Sequence, residues 1–497
     1  MYYKLYFKDG NEIFLNNKPL IKLFKTSKNC YLYDANKNAI INISNNQYEF
    51  LENCMKNNVD DYIKSEKTKK LCKEGFLSSN RVKEVIHPDD ELLAFQLDNN
   101  IKMLTLQITQ QCNFRCEYCV YSGNYLNRTH SNSKMSISTA FKGIDFIIKH
   151  SKNNNEICIG FYGGEPLLEF NFVKQCIEYA EKKAEGKSLS FTMTTNGSLL
   201  SDEIIEFLYK HNVFLTISLD GPQEIQDNHR KLTLNNSGSF NKVFNNIINL
   251  KDNFPDYTKS ISFNAVIDTQ SDFYCIDKFF LDNEIVKDIT VTSTLISNNY
   301  KKSDINVDED YYLKHEYELF RIFYYLIRGN NIKNCSKIAV NTYNELLNFS
   351  KKLKPQKMLP EKGHHSGPCT PGTARLFMSA DGFFYPCERV SESSDLMKIG
   401  HVDTGFDINK VRKILNLGQV DSESCKNCWS IRLCTICAAI LDTSENEFSL
   451  KRKKECCKQC KENVEEMLKN YCFLKEFGHN FDEHYEPIPI NYDLITN

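Results

Sequence analysis

Cys112, Cys116 and Cys119 stand at C-x3-C-x2-C in the segment QCNFRCEYCVYSG. Three thiolates on one short loop can hold three corners of a cubane iron–sulfur cluster, and the missing fourth ligand leaves one iron open to a substrate or cofactor. A structural zinc site is the alternative. Such sites close with four ligands, often two C-x2-C pairs, and this loop offers no local fourth Cys or His. A second set fills the last quarter of the chain: Cys369, twelve residues, Gly382, four residues, Cys387; then Cys425-x2-Cys428-x5-Cys434-x2-Cys437; then Cys456-Cys457. Seven or eight thiolates satisfy two further cubanes fully or nearly so, and a zinc-ribbon-like structural domain is the alternative for this block. Cys30, Cys54, Cys72, Cys158, Cys176, Cys275 and Cys335 are scattered singly and read as small buried hydrophobes.

The elements that must position these groups come from a chain of 497 residues, long enough for roughly three domains of about 150 residues. A net charge of -2 argues against a broad nucleic-acid surface, and 41% hydrophobic with 25% charged residues is ordinary for a soluble protein. Even FRIFYYLIRG is broken by Arg321 and Arg328, so no membrane span is expected. Lys4, Lys8, Asp9 and Glu12 interrupt the N-terminus where an export signal needs an apolar run, so a cytoplasmic location is expected. In that compartment 20 cysteines mean metal or redox chemistry rather than disulfides.

From about residue 1 to 95 short strands precede helices. YYKLYF and EIFL alternate, CYLYD and AIINI flank the turn ANKN, Ser44 is placed to cap a helix through QYEFLENC, and TKKLCKEGFL reads as a helix ending near Gly75. His87-Pro88-Asp89-Asp90 reads as a linker. Between about 103 and 330, the runs MLTLQIT, EICIGFYG, LSFTMTTNG, VFLTISLDG, SISFNAVID and DITVTST alternate with helical stretches such as SISTAFKGIDFIIKH and SDEIIEFLYKH. Six βα repeats predict an α/β fold with a parallel sheet, either doubly wound or a partial barrel, with the ligand at the carboxyl ends of the strands. Helix plus linker are expected from 331 to 368, then a loop-rich, cysteine-dense region and a closing helix at EEMLKNYCFLKEF.

The triple C-x3-C-x2-C, with Tyr118 just before its last cysteine and a strand before its first, resembles the signature of radical S-adenosylmethionine enzymes. The resemblance implies a partial (β/α)6 barrel in which the open iron chelates S-adenosylmethionine and an injected electron yields a 5′-deoxyadenosyl radical. Strand ends agree with it: YGGEP with Gly163, Gly164 and Glu165, TTNG with Asn196, and SLDG with Ser218 and Asp220. With Tyr118, these are the residues the resemblance assigns to the cofactor. In DGPQEIQDNHR, Arg230 meets a carboxylate or lies on the surface; both readings stand. The C-terminal spacing resembles a SPASM extension, which implies two auxiliary [4Fe–4S] clusters and three in all. Cys369, Cys387 and Cys437 would hold the inner one. Cys425, Cys428 and Cys434 would hold the outer one, with Cys457 or Cys456 fourth. One departure is the gap of two residues, not three, before Cys437.

The order of parts resembles maturases of Cys-rich ribosomal peptides. It implies a winged, leader-binding α+β recognition domain at 1–95, a radical core at 96–330, a linker and helix at 331–368, a SPASM domain at 369–475 and a tail at 476–497. The implied activity is formation of thioethers between Cys sulfur and carbon on a precursor peptide, with a flavodoxin or ferredoxin as reductant. The inner cluster would keep three obvious protein ligands, and Cys335, Cys456 or Cys460 could complete it. Formylglycine maturation of the sulfatase type, or another peptide crosslink or oxidation, is the alternative. Glu388 in YPCER stands where that branch commonly has an aspartate base, and is either a proton acceptor or part of an ordinary ion pair. A non-catalytic metal-binding scaffold is the remaining reading.

Overall fold

Apolar runs bounded by turn residues build the centre of one sheet. The computed structural model describes residues 4–6, 12–14, 18–57, 61–63, 65–184, 186–303 and 305–482. Six parallel strands lie side by side in sequence order: β1 (Met103–Thr109), β2 (Glu156–Gly163), β3 (Ser188–Thr195), β4 (Val213–Ser218), β5 (Ile261–Ile267) and β6 (Thr290–Leu295). Residues 104–109 of β1 and 157–161 of β2 are wholly buried, as strands covered on both faces must be. The crossover helices start where their caps predict: Ser136 accepts from Thr139 N at 3.1 Å before Ile137–Lys149, and Ser201 accepts from Ile204 N at 3.4 Å before Asp202–Lys210. The expected α/β class with a parallel sheet is the one found.

The sheet continues past this array. β7 (Leu376–Met378) pairs parallel with β1, Leu376 opposite Leu104, and β8 (Phe383–Tyr385) pairs antiparallel with β7. Because β7 and β8 form a hairpin, Cys369 before it and Cys387 after it return to the same end. The cysteine-rich region therefore grows directly from the strand that leads to Cys112.

That region differs from expectation in one respect. It contains a 27-residue helix, Leu450–Glu476, of which the expected closing helix is only the second half. The first half, LKRKKECCKQC, shows no apolar stripe. Its buried face is made of Lys453 and Cys460, continued by Val464, Leu468 and Cys472, so a lysine and thiols occupy positions where apolar periodicity is sought.

The N-terminal part is a three-stranded antiparallel meander of Ile21–Lys25, Cys30–Asp34 and Ala39–Ile43. Ser44 and Gln47 cap the following helix, Asn45–Asn57, reciprocally: Gln47 N donates to Ser44 Oγ at 3.2 Å and Ser44 N to Gln47 Oε1 at 2.9 Å. This unit has its own small core around Leu32, Leu51 and Tyr62. Its Ile21–Lys25 side leans on helix Leu450–Glu476, where Asn29 Nδ2 and Tyr31 OH each donate to Glu476 Oε1 at 2.9 Å. Lys4–Tyr6 and Glu12–Phe14 pair antiparallel; the rest of YYKLYF and EIFL, and the tail beyond residue 482, lie outside the described residues. His87–Asp90 is not a free linker, since His87 N donates to Asn416 Oδ1 at 2.8 Å. Of the scattered cysteines, Cys72 and Cys275 are half-buried and the other five buried. Among the described residues no helix is long and apolar enough to cross a membrane.

Candidate active site

Cys112 lies three residues beyond β1, and Cys116 closes the short strand Phe114–Cys116. That strand pairs antiparallel with Arg230–Leu232, which sets Arg230 opposite Cys116. The sulfurs accept N–H groups: Phe114 N to Cys112 at 3.3 Å, Tyr121 N to Cys119 at 3.4 Å, and Asn196 Nδ2 to Cys112 at 3.7 Å. Burial pushes the Cys112 and Cys116 thiols up to about 12, and neighbouring thiolates of the trio add to it. Arg230 opposes that rise at Cys112, Cys116 and Cys119 alike. Among the described residues no three Cys, His, Asp or Glu side chains converge on a single-ion position. Three thiols, two of them met by N–H donors, with a buried cation beside them, fit a multi-iron cluster that carries negative charge.

The glycines of YGGEP act first on the backbone of this loop. A Cβ on Gly164 would lie 1.9 Å from Gln111 O, and one on Gly163, at φ +142°, would lie 2.2 Å from Thr109 O. That closeness permits Gly164 N to donate to Thr109 O and Glu165 N to Gln111 O, both at 2.8 Å. The buried Glu165 carboxylate accepts from Leu167 N at 3.0 Å and from Thr195 Oγ1 and Asn196 N, each at 2.7 Å. Burial raises its pKa and those bonds oppose the rise. Asn196 donates onward to Asn113 Oδ1 at 2.8 Å. Ser218 closes β4 and is half-buried.

Asp220 is engaged by protein groups on all sides. Tyr118 OH donates to its carboxylate, Val266 N donates to Oδ1 at 3.0 Å, and Arg230 Nη1 lies 3.8 Å from Oδ1 while donating to Tyr118 OH at 2.8 Å. Of the two readings of Arg230, the buried one holds: it is 5% exposed, and its Nε has no partner. Sequence spacing pairs neither Tyr118 nor Arg230 with Asp220, because each partner is about a hundred residues away or lies on another strand.

Cys369, Cys387 and Cys437 form a second neighbourhood. Burial pushes Cys387 up to about 12, with Glu388 and then the thiolates of Cys369 and Cys437 adding to it. Cys369 itself is exposed, yet desolvation of its thiol and then Cys437 raise its pKa. Glu388 is ion-paired with Arg375 at 2.6 Å, so the ion pair among its two readings is present. Between this set and the first loop lies a polar interior that no motif announces. Arg128, buried and bridged to Glu392, stacks on Phe377 at 5.1 Å; Gln107 Nε2 donates to Glu392 Oε1 at 2.7 Å and to Tyr121 OH at 2.8 Å. Tyr162 is close enough to Cys119, Glu388 and Glu392 for all three charges to raise its pKa, after burial.

The third neighbourhood is a cavity of about 470 Å³ lined by Cys425, Cys428, Cys434 and Cys457. Five lysines (Lys22, Lys453, Lys454, Lys458 and Lys461) and three carboxylates (Asp421, Glu462 and Glu465) line it too, a net positive balance that suits thiolates. Cys456 does not line it and its sulfur is turned to Ile440 O at 4.0 Å. Buried Lys453 anchors the wall by donating to Gly418 O at 2.7 Å.

Residues 106–273 match the family model of the Radical SAM superfamily. The chain is 26% identical over 279 residues to the radical SAM cyclopropyl synthase TigE of Paramaledivibacter caminithermalis, covering 53% of this chain and 55% of that protein, about half its length. It is 25% identical over 348 residues to the cysteine-type anaerobic sulfatase-maturating enzyme of Clostridium novyi (strain NT), covering 67% of this chain and 87% of the relative. The structure resembles native anSMEcpe with bound AdoMet at a TM-score of 0.57 and 21% identity, over 75% of this chain and 99% of that one, a likeness of fold. Proteins of the matched family bind S-adenosylmethionine and a [4Fe–4S] cluster. The segment that matches the radical SAM family model, 106–273, begins in the first parallel strand and includes the cysteine loop at that strand's end.

Proposed function

We propose that the protein modifies a ribosomally made, Cys-rich precursor peptide by joining a Cys sulfur to a carbon. The observation that carries this reading is the inner cysteine set. Cys369, Cys387 and Cys437 are mutual electrostatic neighbours, whereas Cys335 neighbours Arg321 and Glu318, Cys456 neighbours Arg452 and Glu455, and Cys460 pairs with Cys434. Three protein thiols leave room for a substrate thiol as fourth ligand, which would deprotonate it and hold it within bonding reach.

In this reading Cys112, Cys116 and Cys119 hold the cluster that binds S-adenosylmethionine, which together supply hydrogen-atom abstraction. Cys369, Cys387 and Cys437 hold the inner auxiliary cluster, and Cys425, Cys428, Cys434 and Cys457 the outer one. Closing a carbon–sulfur bond removes one hydrogen atom from carbon, which the 5′-deoxyadenosyl radical would take, one proton from the thiol, and one electron, which the inner auxiliary cluster would accept. Glu388, ion-paired with Arg375 and next to Cys387 in the chain, is the candidate proton acceptor. Glu392 and Arg128 give the interior wall a fixed pair of opposite charges for peptide polar groups. The leader would add as a strand to the Ala39–Ile43 edge, since the Ile21–Lys25 side faces helix Leu450–Glu476. A flavodoxin- or ferredoxin-type protein would deliver electrons.

Support for a peptide substrate comes from relatives: a sulfatase-maturating enzyme over most of its length, and an anSMEcpe structure with bound AdoMet and the Cp18Cys peptide. The same relatives favour a second reading, oxidation of a single residue. Mass spectrometry of a Cys-rich peptide after anaerobic reaction separates them. A thioether appears as loss of two hydrogens with one thiol protected from alkylation; an aldehyde reactive to hydrazide, with no crosslink, supports the second reading instead.

A further inference from the structure

His365 stands in the wall of the outer cysteine cavity with a ring nitrogen that nothing in the protein satisfies. The residue is 3% exposed, its Nε2 is buried without a hydrogen-bond partner, and it lines the same cavity as Cys425, Cys428, Cys434 and Cys457. An unmet buried polar group is destabilising, so Nε2 calls for a partner.

Three contacts determine which nitrogen carries the proton. Gly418 N donates to His364 Nε2 at 2.8 Å, which makes that nitrogen an acceptor and puts the His364 proton on Nδ1. His364 Nδ1 lies 3.0 Å from His365 O and 3.3 Å from His365 Nδ1. His365 Nδ1 thus faces a donor, and the proton of its neutral ring sits on Nε2, the nitrogen without a partner. Burial keeps both rings neutral, lowering His364 to about 4 and His365 to about 2. The relay is built for closeness: a Cβ on Gly418 would lie 2.4 Å from His364 Nε2. Lys453, which faces the rings from the long helix, donates its Nζ to Leu417 O and Gly418 O, reinforcing the same turn, and also meets the Cys425 thiol.

We propose that His365 Nε2–H donates a hydrogen bond to a sulfur of the cluster held by Cys425, Cys428, Cys434 and Cys457, with His364 as the positioning residue that sets its tautomer. The inference rests on the reading that these four cysteines hold a cluster. A donor on a cluster sulfur favours the more negative, reduced state, so the bond raises the reduction potential of this cluster above what the thiolates alone would set.

The test is an EPR-monitored redox titration of the anaerobically reconstituted full chain, in a background of Cys112→Ala, Cys116→Ala and Cys119→Ala so that only auxiliary signals remain. His365→Leu is expected to keep iron and sulfide per chain and to lower one auxiliary midpoint, raising the oxidised-to-reduced ratio at fixed potential about tenfold, or about 59 mV for one electron. His365→Gln, which retains a donor, is expected to recover part of the shift. His364→Phe, which leaves His365 in place but releases its tautomer, is expected to shift the same midpoint downward. Should His365→Leu lose iron, the other two variants decide on the same readout. Midpoints equal to the parent in iron-replete variants overturn the proposal. A parent holding iron and sulfide for only one auxiliary cluster overturns the reading of the outer cysteines instead, and is seen before any histidine is changed.

Discussion

Replacing Arg230 with Met removes the cation that the first cysteine loop shares with Asp220. The guanidinium stands 3.8 Å from Asp220 Oδ1, where two unit charges attract by about 4 kcal/mol at an effective dielectric of about 20. Both groups are buried, so removing one leaves the other uncompensated, which typically costs about 3–5 kcal/mol. Asp220, whose pKa burial already raises, would take up a proton in the variant, so the loss of stability is expected to be smaller at low pH. Arg230 also lowers the pKa of all three loop thiols, and its removal disfavours the thiolates that iron requires. The expected result for Arg230→Met is a urea midpoint shifted by about 3–5 kcal/mol of stability, together with at least about tenfold weaker retention of loop iron. Arg230→Lys, which keeps the charge without the planar fork, is expected to fall between. Equilibrium unfolding, iron per chain and 5′-deoxyadenosine release are the assays. Parental stability and iron content in Arg230→Met would refute the role given to this buried charge.

Gly164→Ala puts a methyl 1.9 Å from the Gln111 carbonyl oxygen; the loop must retreat, and loss of the iron proposed for this loop is expected from iron and sulfide analysis, with any iron at the C-terminal cysteines retained. Cys457→Ala is expected to empty the outer site and Cys456→Ala to leave it filled, read by the same analysis, because only Cys457 lines that cavity. Asp277, 4% exposed and bonded by Ser336 Oγ at 2.8 Å, has its carboxyl pushed up to about 6 by burial. Its protonated form is favoured in the folded state, so that contribution is full below about pH 4, the ordinary carboxylate value, and is lost as pH rises through 6. Asp277→Asn keeps an acceptor for Ser336 and is expected to gain up to about 3 kcal/mol over the parent above pH 6, measured by urea unfolding across pH 4–8. An equal pH dependence in both proteins would show that Asp277 is not the group responsible.

Much of this was legible because local chemistry and local structure coincide. MLTLQIT and EICIGFYG are β1 and β2 residue for residue, as buried parallel strands read as unbroken apolar runs. The three loop cysteines were evident from spacing because one loop carries them all. What escaped depends on distant pairings. Glu392 meets Arg128 across more than 260 residues, and Arg230 reaches Asp220 and Tyr118 only because Arg230–Leu232 pairs with the cysteine strand. His365 had no signal either, since its importance comes from the ring nitrogen left over after His364 and Gly418 are paired. The first half of the long helix was hidden by lysines and thiols on its buried face. The glycines of YGGEP were placed correctly at a strand end, but the group they approach in the structure is the backbone of the cysteine loop.

The central claim is that Cys112, Cys116 and Cys119 hold a cluster with one iron open to S-adenosylmethionine. Its most direct test is addition of S-adenosylmethionine labelled with ¹⁵N at its amino group to the reduced, anaerobically reconstituted protein, followed by ENDOR spectroscopy of the cluster signal. A ¹⁵N coupling to iron that is absent in Cys116→Ala is the expected result. An uncoupled spectrum at saturating S-adenosylmethionine, or zinc in place of iron in the loop of the native protein, would contradict it.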